Sequence, residues 1–162
     1  QTIEEERMNH WHKGIVGIAL ALATGCALAG GTADYVTNSA EIVKQTDWDK
    51  MQTVVVELTE HDYTPGTLTF TKGQPYKLVL KNIGEKKHYF TAPEFYKAIA
   101  TRKVQSDKDG EVKVPYLLAL EMMAKGGQLD LYFVPVVAGE YPVYCTIDDH
   151  REQGMEGKLI IR

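Results

Sequence analysis

From Thr53 to the C-terminus, apolar residues return at every second position in one short run after another. Val54, Val56 and Leu58 share one face, opposite Thr53, Glu57 and Thr59. Leu68 and Phe70 alternate with Thr67, Thr69 and Thr71, and Tyr76, Leu78 and Leu80 with Lys77 and Lys81. Leu129, Leu131 and Phe133 alternate with Asp130 and Tyr132. Tyr141, Val143 and Cys145 share a face, and Leu159 and Ile161 close the chain. Successive side chains of a strand point to opposite sides, so a period of two marks strands with one buried face. Pro65-Gly66, Lys72-Gly73, Asn82-Ile83-Gly84 and Ala138-Gly139 supply the turns between them. Short strands at this spacing cover their apolar faces by stacking one sheet on another, which predicts an all-β sandwich. Two stretches interrupt the pattern. Pro93–Gln105 reads as helical, and Tyr116–Lys125 as a second helical piece, both as insertions between strands.

The chain has 162 residues, room for one ordinary domain and a short appendage. The appendage is visible in the charge pattern. Residues 1–13 are polar and contain Arg7 and Lys13, whereas 14–33 carry no charge at all. About 20 apolar residues match the length of a helix that crosses a bilayer. Three readings fit this N-terminal hydrophobic helix: an uncleaved membrane anchor, a secretory signal with a cut after Ala27-Leu28-Ala29, and a lipoprotein signal ending at Cys26. All three place residues 34–162 outside the cytoplasm. For a bacterium that is the periplasmic side of the inner membrane if anchored, and the periplasm or exterior if cleaved. Residues 34–52 are polar and mixed and read as a linker or short helix leading to a domain at 53–162.

Eighteen Lys and Arg against 22 Asp and Glu leave a net charge of -4. That balance gives no electrostatic basis for binding nucleic acid. The two cysteines lie in unlike surroundings and make no disulfide scaffold.

The chemistry is concentrated near the C-terminus, in YPVYCTIDDHREQGMEGKLII. Cys145 ends a strand, His150 follows after four residues and Met155 after four more. A thiolate, an imidazole and a thioether on one loop suit copper, because sulfur donors accommodate Cu(I) and imidazole accommodates both oxidation states. A mononuclear site needs a second imidazole. His88, which comes after the strand Tyr76–Asn82 and a short turn, is the well-placed candidate.

With these four residues, the chain from about Thr53 to Arg162 resembles the cupredoxins, the blue-copper family. The family pattern is a His after an Asn-x-Gly turn followed by a C-terminal Cys…His…Met loop. Here it falls on His88, Cys145, His150 and Met155, with the loop spacing of rusticyanins. The resemblance implies a Greek-key β-sandwich holding one type 1 copper, bound by Cys145, His88 and His150 with Met155 as the weak axial donor. Asn82, Tyr89 and Thr146 are the expected neighbours that tune the ligands, Asn82 by acting on the sulfur. It further implies one-electron transfer rather than catalysis, with His150 near the surface as the electron exit. Ile83, Pro142 and Met155 would form an apolar docking patch. The partner would be a periplasmic cytochrome or a membrane redox complex such as a terminal oxidase.

Rival functions are separated by counting ligands. A thiol hydrolase would use His150 as base for Cys145, but no third orienting group is apparent. A dinuclear copper centre needs two cysteines on the loop, where there is one. Multicopper oxidases and copper nitrite reductases need further histidines. The chain has five, and beyond His88 and His150 the domain keeps only His61, read as a solvated turn residue. Met122 and Met123 read as packing residues. A copper carrier or chaperone, and an accessory structural subunit of a membrane respiratory complex, stand as alternatives.

Overall fold

The computed structural model describes residues 34–162. The expected hydrophobic segment 14–33 lies outside the described residues, among which no helix is long and apolar enough to cross a membrane.

The alternating runs become strands β1 (Gln52–Leu58), β3 (Thr67–Phe70), β4 (Tyr76–Asn82), β9 (Gln128–Pro135), β10 (Gly139–Tyr144) and β11 (Glu156–Ile161). Between them lie β2 (Tyr63–Thr64), β5 (His88–Thr91), β6 (Ile99–Ser106), β7 (Gly110–Val112) and β8 (Ala119–Met122). One sheet has the order β2-β1-β4-β9-β6-β7 and the other β3-β11-β10-β5-β8. Two neighbouring pairs, β1 with β4 and β3 with β11, run parallel, and the other pairs are antiparallel. The order interleaves strands distant in sequence, which makes a Greek-key sandwich rather than a meander.

The inward faces of both sheets fill the core. Leu58, Leu78, Leu80, Phe70, Leu131 and Phe133 are all fully buried. Phe70 sits in an aromatic cluster, with ring centroids 5.0 Å from Tyr76, 5.2 Å from Phe133 and 5.7 Å from Phe95. On the outer face of the first sheet Lys77 pairs with the nearly buried Asp130 at 2.7 Å. Its hydrogen bond to that carboxylate, above all, raises the Lys77 pKa.

Both helical expectations need correction. Pro93–Gln105 is helical only over α2, Pro93–Lys97, with Pro93 in the first turn where it costs no hydrogen bond. From Ile99 the chain is strand β6, paired along β9 with a bulge between Thr101 and Lys103. Cross-strand pairing with β9 outweighs the local helical pattern there. Tyr116–Lys125 is not a helix. Its core is β8, where Leu120 and Met122 are buried in the period-two manner of a strand. Leu, Glu, Met and Ala are strong helix formers, and that composition masked the alternation. Met122 packs in the core, and Met123 is exposed.

Residues 34–52 hold α1 (Ser39–Gln45) and a 3-10 turn at Trp48–Lys50. The helix packs on β6 and β9. The Tyr35 hydroxyl donates to the Leu117 carbonyl at 2.9 Å, and the Arg102 guanidinium lies 4.5 Å from the Trp48 ring.

Candidate metal centre

The parallel pairing of β1 and β4 sets Leu58 beside Asn82, so the turns after both strands emerge at the same end of the sandwich. The turn after Asn82 leads into β5, whose first residue is His88. β10 runs to that same end, with Tyr144 opposite Thr91 of β5. Cys145 comes directly after it. Sheet topology thus brings together residues 57 positions apart in sequence.

The loop from Cys145 to Met155 is closed by backbone bonds. The Cys145 N–H donates to the Met155 carbonyl at 3.0 Å, and the Met155 N–H to the His150 carbonyl at 2.9 Å. Asp148, at φ +44°, and Gly154, at φ +106°, both take left-handed conformations that bend the loop back. Met155 is thereby held against the loop's own start, fully buried.

His88, Cys145 and His150 have one potential ligand atom each, all within 4.8 Å of one another. The Cys145 sulfur lies 3.6 Å from His150 Nδ1 and 4.0 Å from His88 Nδ1. Bonds of about 2.0 Å to nitrogen and about 2.3 Å to sulfur, in a trigonal plane, hold those atoms about 3.7 Å apart. Exposures of 0% for His88 and 1% for both Cys145 and His150 remove bulk water from the donors. No carboxylate belongs to this cluster, so the donor set is soft to borderline and fits a single copper ion rather than a hard cation.

Burial, followed by repulsion from His150, pushes the His88 pKa below the ordinary imidazole value, while Glu60 pulls the other way. The neutral imidazole that a metal requires is therefore favoured. In the unfolded chain the same group takes a proton near its ordinary pKa of about 6.5, so the unfolded state binds more protons just below that pH. The copper-free protein is expected to lose stability between about pH 7.5 and about pH 5.5, read as a lower urea midpoint at the acid end. An equal or higher midpoint there would contradict this.

The expected neighbours take distinct places. The Tyr89 backbone N–H points at the Cys145 sulfur, 3.5 Å away. Thr146 is exposed, and its hydroxyl lies 3.3 Å from that of Thr91 on β5, tying the ligand loop to the neighbouring strand. Asn82 is fully buried, but its side chain does not reach the sulfur. Its amide donates to the Lys86 carbonyl at 2.7 Å and the Met122 carbonyl at 3.2 Å, and its oxygen accepts from the Gly84 N–H at 2.9 Å. It fixes the turn that delivers His88.

Two expectations about the surface are overturned. His150 is not at the surface but almost wholly buried, and Met155 is fully buried and contributes nothing to an apolar patch. His61 is not a free turn residue either. Half-buried, it sets its ring edge-on to that of His150, with centroids 5.1 Å apart and planes at 71°. Sequence reasoning also missed Glu60 and Tyr63. The Glu60 carboxylate accepts from the Glu85 N–H, a bond that is the main cause of its lowered pKa. The Tyr63 hydroxyl donates to the Tyr89 carbonyl. No local pattern marks these contacts, because each joins segments far apart in the chain.

A two-sheet Greek-key sandwich with a buried His-Cys-His cluster at one end defines the class as that of copper-binding β-sandwich domains. The family model for cupredoxin-like domains matches residues 35–161, and the chain belongs to that family. Among solved structures, reduced auracyanin from the photosynthetic bacterium Roseiflexus castenholzii is similar, with 18% identity, 68% of this chain and 96% of that one covered, and a TM-score of 0.46. Copper nitrite reductase from Nitrosomonas europaea aligns at 12% identity over 76% of this chain and 52% of its own, with a TM-score of 0.55. The multicopper oxidase from Campylobacter jejuni aligns at 13% identity over 69% and 30%, with a TM-score of 0.51. The last two likenesses concern the fold. No curated protein sequence matches the chain.

Proposed function

We propose that the protein transfers single electrons through one type 1 copper, which His88, Cys145 and His150 would hold together with Met155 as a weaker fourth donor. The observation that carries this reading is the burial of His88, Cys145 and His150 at mutual distances suited to one ion. When bound, the copper supplies a one-electron couple between Cu(II) and Cu(I). The protein's part is to keep the donors in place in both states. Cys145 and Met155 are fastened by backbone bonds within one loop, and His88 starts a strand paired to β8 through Met122. The Tyr89 N–H offers a hydrogen bond to the sulfur, which stabilises its negative charge.

The burial of the donors also favours electron transfer over copper carriage, since a carrier must release its metal to a partner that reaches the ligands. We read the protein as exported or membrane-tethered, serving a cytochrome or a membrane redox complex such as a terminal oxidase. It is not an enzyme in this reading, because histidines for a second copper site are lacking in the domain. A spectroelectrochemical titration should show one reversible one-electron wave per bound copper. Irreversible loss of metal on reduction would favour the carrier.

The axial assignment has its own test. Met155→Leu removes the thioether but keeps an apolar side chain of similar volume, so the variant should still bind copper. Losing the weak fourth donor favours Cu(I), and the potential should rise. An unchanged or lowered potential would rule out Met155 as a donor.

A further inference from the structure

We propose that His61 covers the metal centre, standing between His150 and the redox partner and setting how near any partner comes to the ligand's ring. This rests on the copper reading above.

Three observations converge on it. First, His150 has an exposure of 1%, so its ring offers a partner surface almost no area to touch. Second, His150 Nδ1 faces the Cys145 sulfur, while Nε2, on the other side of the ring, is buried without a hydrogen-bond partner. The ring of His61 packs against His150 in an edge-to-face arrangement and is itself only half-buried, which sets a partly exposed ring directly beside the buried ligand. Third, the cover is built into the fold. His61 sits in the turn joining β1 to β2, closed by the Thr59 N–H donating to the Asp62 carbonyl at 3.1 Å. The preceding Glu60 carboxylate clamps this turn to the Glu85 N–H, in the same loop that delivers His88. The Ile83 N–H adds a bond to the Leu58 carbonyl at 2.9 Å. The turn carrying the cover and the turn carrying the first ligand are thus one braced unit.

Electron-transfer rates fall exponentially with separation, so an intervening side chain sets how near any reagent comes to the metal. Removing the ring should shorten the path for a small reagent, and replacing it by another ring should not. The test loads the wild type, His61→Ala and His61→Phe with Cu(II) and follows reduction by hexaammineruthenium(II) in stopped flow. The expected result is a visible band unchanged across the three proteins, a severalfold faster reduction of His61→Ala, and a His61→Phe rate close to wild type. An unchanged or slower His61→Ala, or a His61→Phe as fast as His61→Ala, would overturn the covering role. A shifted band in His61→Ala would overturn it too, by placing His61 among the groups that shape the metal's geometry. Absence of the band from the wild type would instead sink the copper reading and leave the position of His61 as it is.

Discussion

Cys145→Ser is expected to abolish the intense visible band of the copper-loaded protein and to weaken Cu(II) binding by orders of magnitude. The thiolate is the soft, charged donor of the cluster. A serine hydroxyl is hard and neutral near neutral pH, and it provides no low-energy charge transfer to copper. The fold should survive. Cys145 has an exposure of 1%, serine is smaller, and the nearby Tyr89 N–H offers its oxygen a partner. The cost to the copper-free protein is then about 1–2 kcal/mol, that of burying a hydroxyl with partial compensation. Circular dichroism and thermal melts separate the two effects. An intense band retained by the serine variant would exclude Cys145 as a ligand.

Phe70→Ala is the largest expected blow to the fold. Phe70 has an exposure of 0% and packs against rings from β4, α2 and β9. It is also the last residue of β3, in register with Ile161 of β11, so the void opens where both sheets and α2 meet. Truncating a buried Phe costs about 3–5 kcal/mol, because lost transfer energy adds to an unfilled cavity. For a domain of this size that corresponds to a fall in Tm of about 10–20 °C. Val55, at 48% exposure, makes the control, and Val55→Ala should change stability by no more than about 0.5 kcal/mol. A fall of only a few degrees for Phe70→Ala would mean that the aromatic cluster is not central to the core's stability.

The legible and the hidden parts of this molecule divide along physical lines. The strands around Val56, Leu78 and Leu131 are plain in the sequence, since the apolar residues of each fall at every second position on its inner face, even where β4 and β9 also cover their outer faces at Val79, Asp130 and Val134. β8 is hidden because Leu120, Glu121 and Met122 favour helices when considered alone, and its identity comes from pairing with β5. β6 as far as Gln105 reads as helix because Ala100, Arg102, Lys103 and Gln105 favour helices when considered alone, and β2 and β7, at two and three residues, are too short to show a period. The site is legible where donors cluster on one loop: Cys145, His150 and Met155 stand at close spacing, and the turn before His88 marks the second imidazole. Burial leaves no such trace. Neither the depth of His150 nor the ring of His61 over it can be deduced from either segment, because both depend on how the β1–β2 turn folds across the end of the sandwich. Asn82 shows the same limit. Its type and place suggest tuning of the sulfur, yet its hydrogen bonds are spent on the turn and on the Met122 carbonyl at the end of β8.

The most direct test is a titration of the reduced, metal-free protein with Cu(II), followed by visible absorption. The copper assignment predicts an intense thiolate-to-copper band that grows linearly and saturates at one copper per chain. A folded protein that saturates without such a band would contradict a type 1 copper held by His88, Cys145 and His150.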